Sequence, residues 1–113
     1  IIARGYNLKE KKNDVTAHAE IEAIKNASKK MNTWRLDEAT LYVTLEPCPM
    51  CAAAIMQSRI KRVVYGALDK KSGALVSAFS LYEIKGFNHY PVIHFEENEN
   101  CGKIISNYFK NKR

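Results

Sequence analysis

The chain has 113 residues, with 18 Lys and Arg against 12 Asp and Glu, a net charge of +6. At 46% apolar and 27% charged residues it is neither disordered nor low-complexity, and its size suits a single domain spanning 1–113. Its least polar stretch, 40–58, is interrupted by Glu46, Pro47 and Pro49, so it cannot cross a membrane, and no secretory signal is visible. Three cysteines, two of them at C-x-x-C spacing, argue against a disulfide framework. They favour a reducing, cytoplasmic compartment and a metal or redox role for the pair. The pI near 9.3 is a weak sign of a polyanionic partner.

The chain opens on the apolar pair Ile1-Ile2, as if entered in mid-strand, and an N-terminal segment ahead of it is expected in the natural protein. Residues 1–6 read as a short strand with a bend at Gly5. A Lys-rich loop follows at 7–13. A helix is predicted over 16–31, capped by Asp14 or Thr16, with Ile21, Ile24, Ala27 and Met31 on its apolar face. Residues 40–45 are β-branched and aromatic and read as a strand buried on both faces. Pro49 suits the first position of a new helix, and 62–66 is the next strand. A crossover of this length implies that the two strands pair in parallel. Beyond a loop at 67–77, a short helix is predicted at 78–84, a strand at 91–95 and a last helix at 98–112. The sum is an α/β chain, a sheet covered by helices on both faces.

The candidates for chemistry are His18-Ala19-Glu20 and Pro47-Cys48-Pro49-Met50-Cys51. Cys48 begins a helix and Cys51 lies one turn on, so both sulfurs can point to one spot. Two thiolates there suit a soft or borderline cation, zinc above all, although a dithiol redox pair remains open. His18, at the start of the other helix, supplies a third ligand. No convincing fourth is found, since Cys101, His89 and His94 are isolated. Three protein ligands are the pattern of an open, catalytic zinc site. Glu20 is then placed to move a proton, against the bland reading of an acid in a helix's first turn. H-x-E followed at a distance by P-C-x-x-C is the signature of zinc nucleobase deaminases.

On those residues the chain resembles the cytidine deaminase superfamily and, within it, the bacterial tRNA-specific adenosine deaminases (TadA-type). The resemblance runs through Thr16-Ala17-His18-Ala19-Glu20-Ile21, LYVTLEPCPMCA at 41–52 and SRIKRVVYGA at 58–67. It continues through Asp69, Lys71 and Gly73 of a D-x-K-x-G loop, Asn88-His89, and Tyr108-Phe109-Lys110. It implies a three-layer α/β/α fold with a mixed sheet, and a helix and central strand ahead of Ile1. That strand would lie between 1–6 and 40–45. It also implies one zinc per chain, a homodimer, and hydrolytic deamination of adenosine to inosine at the wobble position of a tRNA anticodon. The nucleophile would be zinc-activated water, with Glu20 as proton shuttle. Asn7, Ala19, Asp69, Lys71, Asn88, Phe109 and Lys110 would contact the anticodon stem-loop. A deaminase of free guanine or cytosine would share the same metal site. The chain departs from the family pattern at Val15, where Pro is common, and at Ala53 and Val76, where Gly is usual.

Overall fold

The computed structural model describes residues 1–97. The helix expected at 98–112, with Phe109 and Lys110, lies outside them. In chain order the elements are α1 (Lys9–Lys12), α2 (Ala19–Met31), β1 (Thr40–Leu45), α3 (Pro49–Gln57), β2 (Arg62–Ala67), a 3-10 turn (Leu81–Glu83) and β3 (Val92–Phe95). The strands form one sheet in the order β1-β2-β3. Tyr42 pairs with Val64 across the first ladder, and Val64 with His94 across the second. Both ladders are parallel, where a mixed sheet was expected. The reason is local: each link between described strands is a long crossover that returns the chain in the same direction.

One hydrophobic cluster holds these layers together. Ile55 and Ala52 of α3, Val63 and Tyr65 of β2, and Leu36, Ile60, Ala74 and Leu75 from the connections are all buried. Ile24 and Ala27 of α2, Leu41 and Val43 of β1, and Ile93 of β3 pack against them. Both long described helices therefore cover the same face of the sheet. The middle strand β2 buries four successive residues, Val63 to Gly66. The strand β1 alternates instead: Leu41, Val43 and Leu45 turn inward while Thr40, Tyr42 and Thr44 are exposed. The expectation that β1 is buried on both faces is corrected accordingly. Only the face that carries Leu41 and Val43 packs against the core.

The N-terminal segment also departs from expectation. Residues 1–6 form no strand. They lie against α2, where the Asn26 side chain donates to the Arg4 carbonyl at 2.8 Å. Gly5 comes so close that a Cβ on it would collide with the backbone of Ala19 and Ala23. Between this segment and β1 runs a cleft of about 930 Å³, at the position where the resemblance puts a further strand. The helix expected from residue 16 begins at Ala19. Asp14 accepts from both the N–H and the hydroxyl of Thr16, which holds 14–16 in a turn and delays the helix. The Lys-rich loop contains the single turn α1, whose Lys9 N–H is held by Asn7 Oδ1 at 3.0 Å. The helix expected at 78–84 contracts to the 3-10 turn.

Glu22 ties α1 to α2. It is buried, and Lys12 from α1 donates to its Oε1, while Lys25 faces its Oε2 at 3.3 Å. The Lys12 hydrogen bond first, and then Lys25, hold its pKa below the usual carboxylate range against the opposing effect of burial.

Two outcomes are expected. Ile55 is fully buried, so Ile55→Ala should lower unfolding free energy by about 2–5 kcal/mol in urea titrations. Because the folded pKa of Glu22 lies below the unfolded value of about 4.3, its ion pairs stabilise above that pH and are lost as pH falls through the folded value. The melting temperature of Glu22→Gln should therefore lie below wild type at neutral pH, and the gap should close in acid.

Candidate metal centre

Two helix starts face each other at the C-terminal ends of the strands. His18 is the N-cap of α2 and Cys48 the N-cap of α3, both in extended backbone conformation. N-cap side chains usually accept a hydrogen bond from their own helix. Neither of these does, and each is turned toward the other. Pro49 at the first helical position fixes the entry of α3, and Cys51 follows one turn on. His18 Nδ1 lies 3.7 Å from Cys48 Sγ and 3.5 Å from Cys51 Sγ. All three donor atoms lie within 4.8 Å of one another.

This donor set suits zinc. A tetrahedral ion with Zn–S of about 2.3 Å and Zn–N of about 2.0 Å separates nitrogen from sulfur by about 3.6 Å. Both observed spacings agree with that value. The match of both spacings to a zinc ion favours the metal reading over a redox dithiol. No fourth His, Cys, Asp or Glu joins the group among the described residues, which matches the ligand count of a catalytic site. The electrostatics agree as well. Cys48 is brought down to about 5, chiefly by the hydrogen bond from the Cys51 thiol, helped by backbone N–H groups and His18 and opposed by burial. Cys51 is pushed up, because its proton is shared with Cys48 and because it is buried beside Glu20. The pair thus gives up one proton readily and the second only to a cation.

Glu20, in the first turn of α2, lines the cleft together with His18 and Cys48. Burial raises its pKa above the ordinary carboxylate value, only partly offset by its own backbone, Cys51 and His18. Of the residues implied by the resemblance, Asn7, Ala19 and Asp69 line this same cleft. Asn7 also caps α1. Lys71 is exposed on the adjoining loop. Asn88 lies elsewhere, in a separate depression with Trp34, Arg59 and Phe87 near the end of α3.

One residue has more to do than the sequence suggested. Along the chain Glu46 reads only as a break in an apolar stretch. In the fold it is buried, and its carboxylate accepts five hydrogen bonds. Oε1 takes the Asp69 N–H at 3.2 Å and the Ser77 hydroxyl at 2.5 Å. Oε2 takes the N–H groups of Leu75, Val76 and Ser77 at 2.8–3.0 Å. Burial works to raise its pKa, but the Ser77 hydroxyl and these N–H groups outweigh it and keep the carboxyl below the usual range. An acid closing a buried strand, ahead of a loop with Gly73 and Ser77, was the available signal.

A metal test follows from this geometry. Purified protein should hold about one zinc per chain, and Cys51→Ser or His18→Ala should lose it. Zinc affinity, followed by mass spectrometry, should weaken as pH falls, because protons compete with the ion for the Cys48 and Cys51 sulfurs.

Comparison with known proteins agrees with the site. The model of the MafB19-like deaminase family matches residues 1–113. The tRNA-specific adenosine deaminase of Bacillus subtilis is 46% identical over 114 residues, covering all of this chain and 71% of that protein. The chain spans about two thirds to three quarters of the length of such relatives. A structure solved in work on A-to-I editing by tRNA:A34 deaminases superposes with a TM-score of 0.81 at 47% identity, covering 84% of this chain and 73% of that one. A guanine deaminase from Bacillus subtilis superposes with a TM-score of 0.61 at 33% identity, covering 100% and 76%. With the family model matching its whole length and a relative 46% identical to it end to end, the chain belongs to the MafB19-like deaminase family.

Proposed function

We propose that the chain, as one deaminase domain over 1–113, converts adenosine to inosine at the wobble position of a tRNA anticodon by hydrolysis. The observation that carries this reading is Glu20, in the first turn of α2, lying half-buried beside the His18-Cys48-Cys51 group. It is supported by end-to-end similarity to proteins named as tRNA-specific adenosine deaminases. His18, Cys48 and Cys51 would hold zinc; when bound, such an ion lowers the pKa of water and supplies the nucleophile at neutral pH. Glu20, with its raised pKa, holds and moves the proton: to the ring nitrogen of the base, and then to the departing ammonia. Asn7, Ala19 and Asp69 on the cleft walls would orient the base. An anticodon loop is single-stranded, so turning one base into the cleft costs less than from a duplex.

Exposed Lys61, Arg62, Lys70 and Lys71 suit contact with the RNA backbone, and Lys110 and Phe109 of the C-terminal segment would add to it. Asn88, in the separate depression, would reach RNA only beyond the cleft. The homodimer is retained in this reading, supported by exposed Trp34 and Phe87 lining one depression. A cytoplasmic setting is supported by the similarity to proteins named as tRNA-specific adenosine deaminases. Among the described residues no helix is long and apolar enough to cross a membrane.

The likeness to a guanine deaminase favours a second reading, a free-base deaminase with the same metal site. Incubation with an anticodon stem-loop carrying adenosine, alongside free guanine, cytosine and adenine, decides between them. Inosine in the RNA is expected; turnover of a free base without the RNA would establish the second reading. Glu20→Gln should keep zinc while turnover falls by about 10²–10⁴-fold. RNA affinity should weaken steeply as salt rises, measured by fluorescence anisotropy.

A further inference from the structure

We propose that Glu46 is a positioning residue whose buried carboxylate holds residues 68–77 in the conformation that sets Asp69 on the cleft wall, and thereby controls how tightly the RNA substrate binds. The proposal rests on the wobble-adenosine reading above. Glu46 does not line up with any step of the reaction, and its five hydrogen bonds all go to one loop. An unpaired carboxylate is costly to bury unless its oxygens are satisfied. No Lys or Arg pairs with this one among the described residues, so four backbone N–H groups and the Ser77 hydroxyl supply the whole compensation. Three successive N–H groups, from Leu75, Val76 and Ser77, converge on a single oxygen, an arrangement that concentrates positive potential on an anion. The loop conformation and the carboxylate therefore require each other.

The loop is shaped around this anchor. At Gly73 a Cβ would collide with the Glu46 carboxyl group, so the absence of a side chain there is what admits the anchor. Ala74 N–H donates to the Pro47 carbonyl at 2.8 Å, a second tie to the same segment. Asp69 then turns the chain by accepting from the N–H groups of Lys71 and Ser72, each at 3.1 Å. Its own N–H is the one held by Glu46. Since Cys48 follows Glu46 by two residues, one short segment mounts both a sulfur of the metal group and the loop that forms the cleft wall. Any displacement of the loop moves Asp69 relative to the metal group.

The test uses the full chain loaded with zinc. Glu46→Gln keeps the shape but turns an amide N–H₂ toward donors. Its KM for an adenosine stem-loop, and its dissociation constant for that RNA, should rise about tenfold, with kcat within about threefold of wild type and zinc at wild-type content. Hydrogen exchange should speed up at the amides of Asp69, Leu75, Val76 and Ser77 and remain unchanged in α2. Ser77→Ala, which removes one donor and retains the anchor, should move both readouts in the same direction by less, and it carries the test if Glu46→Gln does not fold. Unchanged KM and exchange in a zinc-loaded variant would overturn the proposal, as would a loss confined to kcat. Wild type that leaves the stem-loop untouched would overturn the wobble reading instead, while the exchange rates still decide whether Glu46 holds the loop.

Discussion

The convergence of two helix N-termini on one cluster of a nitrogen and two sulfurs is the constraint on which the rest of the molecule depends. His18 and Cys48 occupy cap positions without capping. Both helices place a metal-ligand side chain where an oxygen cap is usual, and so aim their first side chains at a common point. The arrangement also sets the charge. Helix N-termini favour anions, which is the state a thiolate ligand must reach. The hydrophobic cluster through Ile55, Val63 and Leu75 holds α3 on the sheet and so keeps Cys48 and Cys51 at the strand ends.

A second constraint lies on the other side of Cys48. The strand β1 ends at Leu45, Glu46 N–H continues the pairing by donating to the Ala67 carbonyl at 2.9 Å, and the next residues enter α3. Three residues therefore link the sheet, the loop that carries Asp69 and the metal group. Catalytic positioning demands tolerances of a fraction of an ångström, and a buried carboxylate saturated with donors is a stiff way of meeting them. The opposite wall is softer in kind. Asn7 is held through α1, which is fixed by a backbone bond from Leu8 N–H to the Ala17 carbonyl and by the ion pairs of Glu22.

The ionisable groups divide by environment in a way that fits proton transfer. Burial raises Glu20, whereas Glu46, also buried, is kept ionised by its donors. Two carboxylates at the same end of one sheet thus take opposite states, one able to carry a proton and one a fixed anion. The difference comes from the desolvation that dominates at Glu20 and the hydrogen-bond donors that dominate at Glu46.

Much of the site was legible in the linear chain. Cys48 and Cys51 are brought together by helical spacing alone, and Pro49 announces the helix that does it. His18 and Glu20 are joined by the local turn at the start of α2. What could not be read off were features that depend on which elements become neighbours. The outward exposure of Tyr42 follows from α2 and α3 covering only the opposite face of β1. The failure of residues 1–6 to form a strand follows from their having no strand to pair with among the described residues. The separation of Asn88 from the cleft follows from the course of the chain after the 3-10 turn. Glu46 is the sharpest case. Its sequence neighbours are apolar and its partners lie 23 to 31 residues away, so only the folded loop discloses what it anchors. Short-range spacing determined the chemistry, because a helix turn is a fixed ruler; long-range contacts determined the walls of the cleft, because they exist only once the sheet has closed the distance.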